Sequence, residues 1–199
     1  MWAKQKQSGF TIVELLIVIV VIAVLAAISI VAYNGIQDRT RISKIAATVT
    51  AYRKALIQYA TVNGTYPVNS NAYQCLGEGY TGGVCWNGNA SEWTAWNNLL
   101  RPYMGNATPL PTVDTAAVGN FTGAMFVNHT HASVTLDGQQ YRYYIWYVIP
   151  GAGAKCPVGP VLTGNWSTFT SAEPVSGYTF ISGTSGSQCW IKMPDPTTL

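Results

Sequence analysis

The residues best suited to chemistry lie near the start of the chain, where a carboxylate sits inside an apolar run. Glu14 closely follows Gly9 and Phe10, and between residues 15 and 33 the only polar side chain is Ser29. An ionisable group in such a run is costly to remove from water, so it is a functional-site hypothesis whose partner has to be named. The alternative is a glutamate that reaches the lipid headgroups and has no further role.

A free amine is the partner that the neighbouring residues could supply. A secretory signal places its small-residue cleavage site after an apolar core of roughly 7–15 residues. Here the core is longer, and the small residue Gly9 precedes it. Cleavage after Gly9 would keep the apolar run and leave an amine on Phe10. Because a desolvated carboxylate is stabilised by an opposite charge, we hypothesise that Glu14 pairs with the Phe10 amine of a neighbouring copy and sets the axial register.

The four cysteines all follow the apolar run. In an exported chain an even number of cysteines favours disulfides, and three pairings are open. We favour one bridge that closes a small loop and a second that joins the C-terminal part of the chain; the pairs are Cys75–Cys85 and Cys156–Cys189. A zinc site is disfavoured because no C-x-x-C pair occurs.

Other candidate sites are weak. His129 and His131 alternate as they would on one face of a strand, but no acidic residue or cysteine lies near them in the sequence. No hydrolase, zinc-protease or phosphate-binding motif is present, so we predict no enzyme, no cofactor and no metal. Several tryptophans could stack on sugars, although a buried core is the commoner fate; they are Trp86, Trp93, Trp96, Trp166 and Trp190. Chance explains the six N-x-[ST] sequons, at Asn63, Asn89, Asn106, Asn120, Asn128 and Asn165.

Charge excludes one class of partner. The 199 residues include 11 basic and 8 acidic side chains, and loss of Lys4 and Lys6 with a leader leaves 9 against 8. A nucleic-acid-binding protein would need a clustered basic face. We therefore expect no specific nucleic-acid partner.

The apolar run is long enough to span a bilayer, for which about 20 residues suffice. An amphipathic helical stripe continues the helix beyond it; its members are Ile42, Ile45, Val49, Tyr52, Leu56 and Tyr59. Asn63-Gly64, with Pro67 shortly after, predicts the end of the helix. We expect the stripe to pack against a globular domain.

The remaining chain predicts a loop-rich segment followed by antiparallel strands. We expect Ser91 to cap a short helix that ends near Tyr103. Its predicted inner side consists of Trp93, Trp96, Leu99, Leu100 and Tyr103. Strands are predicted at 123–127, 132–136, 141–149, 158–162, 178–181 and 188–193, with hairpins across 137–138 and 182–187. The aromatic density of 141–149 indicates a central strand.

The segment Lys6-Gln7-Ser8-Gly9-Phe10-Thr11-Ile12-Val13-Glu14-Leu15-Leu16 resembles the class III signal of bacterial type IV pilins and type II secretion pseudopilins. The resemblance extends from residue 1 to about residue 67. It implies that a prepilin peptidase cuts after Gly9 and methylates Phe10, and that Glu14 is the family's assembly glutamate. Family members often carry a glycine and a proline where this chain has Ala23 and Val31.

The resemblance implies an α+β, type IV pilin-like fold, in which a long N-terminal helix packs on a small antiparallel β-sheet head. We divide the chain into a cleaved leader (1–9), a transmembrane and filament-core helix (10–33), the amphipathic half of the same helix (34–63) and a pilin head (64–199). Within the head we expect a loop segment with a short helix at 64–122 and the sheet at 123–199.

The implied function is that of a structural subunit of a surface filament serving adhesion, motility or DNA uptake. The alternatives are a pseudopilin of a secretion or competence machine and a minor tip pilin that binds a ligand. The implied partners are other copies in a helical filament, the prepilin peptidase, an assembly platform and a cytoplasmic motor ATPase. The implied location is the cytoplasmic membrane before assembly and the cell surface afterwards.

Overall fold

The computed structural model describes residues 9–68, 73–86, 90–113, 121–128, 134–136, 139–151, 154–158, 161–165, 168–171 and 186–199. The chain divides into two compact units, Met1–Thr40 and Arg41–Leu199. The first contains the start of the long helix α1, and the second contains the rest of that helix and a globular head.

Helix α1 runs from Ile12 to Asn63 and passes through Ala23 and Val31 without a break. By length and composition it is the one helix in the described part of the chain that could cross a membrane. The helix ends where the Asn-Gly signal predicts. Gly64 takes the left-handed conformation, with φ of 71°, and its N–H donates to the Ala60 carbonyl at 2.8 Å, as is common for a glycine that ends a helix.

In the second unit, the apolar stripe of α1 packs on one face of a β-sheet. Ile45, Val49, Tyr52 and Leu56 are buried, and Ile42 and Tyr59 pack partly buried against the same core. Each fully buried apolar side chain contributes roughly 1.5–3 kcal/mol relative to exposure. The predicted role of the stripe as ordinary core is therefore confirmed.

The sheet contains ten strands in the described residues. In chain order they are β1 (Tyr73–Cys75), β2 (Val84–Trp86), β3 (Ala90–Ser91), β4 (Met125–Asn128), β5 (Val134–Leu136), β6 (Gln139–Tyr141), β7 (Tyr143–Pro150), β8 (Val161–Asn165), β9 (Thr168–Ser171) and β10 (Gly186–Lys192). Their spatial order is β2-β3-β1-β4-β7-β10-β8-β9-β5-β6. The predicted α+β class is confirmed, with one correction.

The correction is that the sheet is mixed rather than wholly antiparallel. β3 pairs parallel with β1, and β5 pairs parallel with β9. In the first case β2 and β3 pair antiparallel, which turns the chain back so that β3 lies beside β1. A parallel pairing of this kind depends on the connection between strands, and residue periodicity does not reveal it.

Strand β7 is central, as its aromatic density predicts. It pairs antiparallel with β4 on one side and with β10 on the other. Ile145, Tyr147 and Ile149 belong to the core that faces α1, whereas alternate residues belong to a core on the opposite face. Because both faces are covered, the strand reads as a nearly continuous apolar run.

Most other predicted strands coincide with observed ones. Those at 123–127, 132–136 and 188–193 overlap β4, β5 and β10. A hairpin forms across 137–138, with Leu136 opposite Gln139, but its second arm is the short strand β6 and not the predicted strand at 141–149, which is β7 and pairs with β4 and β10. The strand predicted at 158–162 is shifted to β8. The strand at 178–181, and with it the first arm of the second hairpin, lies outside the described residues. The short strands β1, β2, β3 and β9 were not predicted, because two to four residues carry no periodic signal.

The short helix also differs from the prediction. Helix α2 spans Thr94–Leu100, a 3₁₀ turn follows at Arg101–Met104, and Ser91 lies in β3 instead of capping the helix. Trp93 and Leu99, placed inside by the prediction, are 42% and 41% exposed. Asn97 takes the inner position because its side-chain amide donates to the Gly77 carbonyl at 3.0 Å.

The face of the sheet away from α1 is covered by aromatic side chains. Trp146 stacks on Trp190 with ring centroids 4.4 Å apart, and Trp86 stacks on Phe121 at 5.3 Å. Trp190 and Trp96 are buried, which contradicts sugar stacking for those two. Trp166 lies outside the described residues, as do His129 and His131.

Each core contains one disulfide. Cys75–Cys85 lies in the aromatic core on the face of the sheet away from α1, and Cys156–Cys189 lies in the core that faces α1. These are the two pairs that we favoured from the sequence. All four sulfur atoms are engaged, so none remains as a zinc ligand.

Around a turn at Gly77, the loop segment of the head is held together by contacts within it and is joined to α1 by a hydrogen bond. The Arg101 guanidinium pairs with the Glu78 carboxylate at 2.6 Å, and Glu78 also accepts from the Leu110 N–H at 2.9 Å. The Tyr52 hydroxyl on α1 donates to the Pro111 carbonyl at 2.8 Å. A Cβ on Gly77 would lie 2.6 Å from that same oxygen, and the φ of Gly77 is 115°.

Replacing Gly77 with alanine should therefore destabilise the head more than the same change at Gly79. Both positions have positive φ, but a Cβ on Gly79 meets no atom within 4 Å. Backbone strain costs about 1–3 kcal/mol, and we expect Gly77→Ala to lose roughly 2 kcal/mol more than Gly79→Ala because backbone must also move. Denaturant unfolding of the full chain in detergent, followed by tryptophan fluorescence, measures both. Equal decreases in the free energy of unfolding for the two variants would contradict the close approach of Pro111 to Gly77.

Candidate functional site

The first turn of α1 holds Glu14 in place through Thr11. The Glu14 carboxylate oxygen Oε2 accepts from the Thr11 N–H and from the Thr11 hydroxyl, each at 2.8 Å. The Glu14 N–H donates back to the Thr11 hydroxyl oxygen at 3.2 Å. Because Thr11 directly precedes the helix, this reciprocal arrangement is a capping box. Our sequence reasoning missed it, although T-x-x-E before an apolar run is its signal.

The capping box orients the carboxylate without using all of it. Both Thr11 hydrogen bonds end on Oε2, so Oε1 accepts none from the described residues. A negative charge in the first helical turn is also favoured by the helix dipole. The capping box therefore leaves the Glu14 Oε1 exposed and available to accept a hydrogen bond from another molecule.

The junction between Gly9 and Phe10 lies outside the helix and is exposed. Neither residue has helical structure, Phe10 is 87% exposed, and no atom lies within 4 Å of a Cβ built on Gly9. A peptidase therefore has access to this bond. The leader residues 1–8 lie outside the described part of the chain.

The apolar part of α1 is exposed on every side within its own unit. Large side chains from Ile12 to Ile30 are 49% to 83% exposed. A continuous apolar surface of this size on a soluble monomer marks an interaction with a membrane or with other proteins. The Ser29 hydroxyl donates to the Leu25 carbonyl at 2.8 Å, so this polar side chain is satisfied within its own helix.

An accessible glycine–phenylalanine junction, an apolar helix with a first-turn glutamate and an α+β head are the features on which the resemblance to type IV pilins and pseudopilins rests. The chain also matches the family model described as the prokaryotic N-terminal methylation motif, over residues 4–30. That match contains Gly9, Phe10 and Glu14.

Three relatives show how far the similarity extends. The chain is 32% identical to the type II secretion system core protein G of Klebsiella michiganensis over 73 residues, which are 37% of this chain and 51% of that protein. It is 36% identical to the fimbrial protein EcpC of Eikenella corrodens over 69 residues, 35% of this chain and 45% of that protein. It is 33% identical to the type IV major pilin protein PilE1 of Neisseria gonorrhoeae over 66 residues, 33% of this chain and 31% of that protein.

The resemblance to type IV pilins and type II secretion pseudopilins is thereby confirmed. The match is partial, because the chain spans about half the length of the first of these relatives and less of the other two. No solved structure matches the chain. The likeness therefore identifies the type of N-terminus, and the role of the whole protein has to be argued from its own residues.

Removing the Thr11 hydroxyl should loosen the first turn of α1. Thr11→Val keeps the shape of the side chain but deletes the group that donates to Glu14 and accepts from its N–H, and loss of a cap typically costs about 1 kcal/mol. We expect faster amide hydrogen exchange at residues 12–15 in detergent micelles. Thr11→Ser, which retains the hydroxyl, should exchange like the wild type. Unchanged exchange in the valine variant would contradict the capping role.

Proposed function

We propose that this protein is a structural subunit of a type IV pilus-like surface filament, held first in the cytoplasmic membrane and then assembled through α1. The observation that carries the proposal is the combination of an exposed apolar helix with a Thr11-oriented Glu14 next to an accessible Gly9–Phe10 junction. The role is structural and not catalytic. No cofactor enters it.

The hydrophobic effect supplies the driving force for assembly. An apolar helix is stable in a bilayer and unstable in water, so a copy that leaves the membrane has to bury its helix against other copies. At about 25 cal/mol per Å² of apolar surface removed from water, a whole helix of such side chains holds the filament together without specific contacts. Extraction from the bilayer costs a similar free energy, which we assign to a separate cytoplasmic motor ATPase acting through an assembly platform.

Glu14 gives this nonspecific packing a fixed register. In the proposed processing, prepilin peptidase cuts after Gly9 and methylates the new amine of Phe10. The amine remains cationic after methylation and can donate to the free Oε1 of Glu14 in a neighbouring copy. Within an apolar filament core an unpaired carboxylate is strongly disfavoured, so only registers that form this pair are stable.

A second candidate function is supported by the relatives. Similarity to type II secretion protein G is as high as similarity to the gonococcal pilin, so a short filament of a secretion or competence machine uses the same chemistry. A pilin and a pseudopilin differ in the length of the filament that they form. Electron microscopy of cells, with antibody against the head, should show long shearable fibres for a pilin and none for a pseudopilin under native expression.

The processing step has a direct measurement. Mass spectrometry of the native chain should find Phe10 as the first residue, carrying one added methyl group. A native chain that begins at residue 1, or that lacks the apolar helix, would overturn the proposed function.

The register role of Glu14 has a matched control in Asp38, the other carboxylate described on α1 in the first unit. We expect Glu14→Ala to reduce filament yield more than tenfold, because its core would contain unpaired amines, while Asp38→Ala leaves yield within about twofold. Both variants should still be processed at Gly9, which mass spectrometry checks. Normal filaments from Glu14→Ala would contradict the pairing hypothesis and leave the processing result standing.

A further inference from the structure

Basic side chains follow the apolar run closely. Asp38 and Arg39 adjoin in the sequence and cancel in formal charge, and the next charged residues are Arg41 and Lys44. In the second unit both are exposed, whereas Ile42 and Ile45, next to them on α1, pack into the head core. The head therefore leaves this pair of cations in solvent.

The two cations have no ionic partner in the described part of the chain. The ion pair found there joins Arg101 to Glu78. The side chains of Arg41 and Lys44 form no hydrogen bond with another described residue, although the Lys44 carbonyl accepts from the Thr48 hydroxyl at 3.0 Å within the helix. Among the described acidic side chains, Glu78, Glu92 and Asp195 accept hydrogen bonds within their own chain.

The position of the pair relative to the apolar run favours a lipid partner. In the sequence, Arg41 and Lys44 follow Ile36, a large apolar residue just past the end of the run, by five and eight positions. The headgroup layer extends about 5–7 Å beyond the hydrocarbon on each side of a bilayer. Long cationic side chains reach such a layer readily. Anionic headgroups attract each nearby Lys or Arg by about 1 kcal/mol.

We infer that Arg41 and Lys44 bind anionic phospholipid headgroups at the outer surface of the membrane while the subunit awaits assembly. This inference rests on the proposed function, since it requires the apolar part of α1 to span a bilayer. The contact would hold the head close to the membrane and would have to be broken when the subunit is extracted.

The test uses the full processed chain in vesicles that contain spin-labelled phosphatidylglycerol or spin-labelled phosphatidylcholine. The fraction of each lipid immobilised by the protein gives its relative affinity. We expect at least a fivefold preference for phosphatidylglycerol at low salt, the ratio that corresponds to about 1 kcal/mol. The preference should fall towards one in 0.5 M salt because screening weakens exposed charge pairs.

The double variant Arg41→Gln/Lys44→Gln should lose this preference. Lys54→Gln/Lys155→Gln removes the same charge from exposed positions elsewhere and should retain it. Equal preference in the wild type and the first variant, or equal loss in both variants, would overturn the inference while leaving the filament proposal intact. A chain that alkaline extraction removes from the vesicles would overturn the membrane span, and with it both proposals.

Discussion

The structure depends on one constraint: a helix whose apolar side chains are exposed on all sides cannot remain in water. From Ile12 to Ile30 the large side chains have no partner within their own unit. A bilayer or a bundle of identical helices satisfies them, and the two environments are close to equivalent for an apolar surface. The protein can therefore pass from one to the other, provided that something selects a single packing.

In the proposed filament, the few polar groups in this part of the helix would select a single packing. Ser29 satisfies its own hydroxyl within the helix and so imposes nothing on a neighbour. Glu14 is different, because its capping box with Thr11 leaves one carboxylate oxygen open. Apolar packing alone permits many axial registers between neighbouring helices. In the proposed filament the oriented Glu14 carboxylate would select one of them, and its capping box also stabilises the free helix.

The head has a separate requirement, which is to form a stable fold of its own. Strand β7 lies between two cores, one against the α1 stripe and one formed by stacked aromatic rings, and each core contains a disulfide. Burial raises the pKa of the Tyr52 hydroxyl on α1 far above its usual value, so it remains a neutral donor to Pro111 at any physiological pH. The loop segment is thus attached directly to the helix that it covers.

The sequence alone determined the features that rest on local pattern. These are the apolar run, the glycine–phenylalanine junction with its glutamate, the helical stripe that ends at Asn63, and the aromatic central strand. Each follows from spacing or composition within one segment, where side-chain period and desolvation act without help from distant residues. The capping box was also local, and its motif could have been found.

Only the tertiary structure decided what depends on distant partners. The parallel pairing of β1 with β3, the burial of Asn97 through Gly77 and the fastening of Pro111 to Tyr52 all join residues whose own segments do not specify them. Ser91 satisfies the rule for a helix cap but pairs as a strand residue. Two-residue strands and buried polar side chains are stabilised by neighbours that the chain brings together only on folding, so no local pattern could have revealed them.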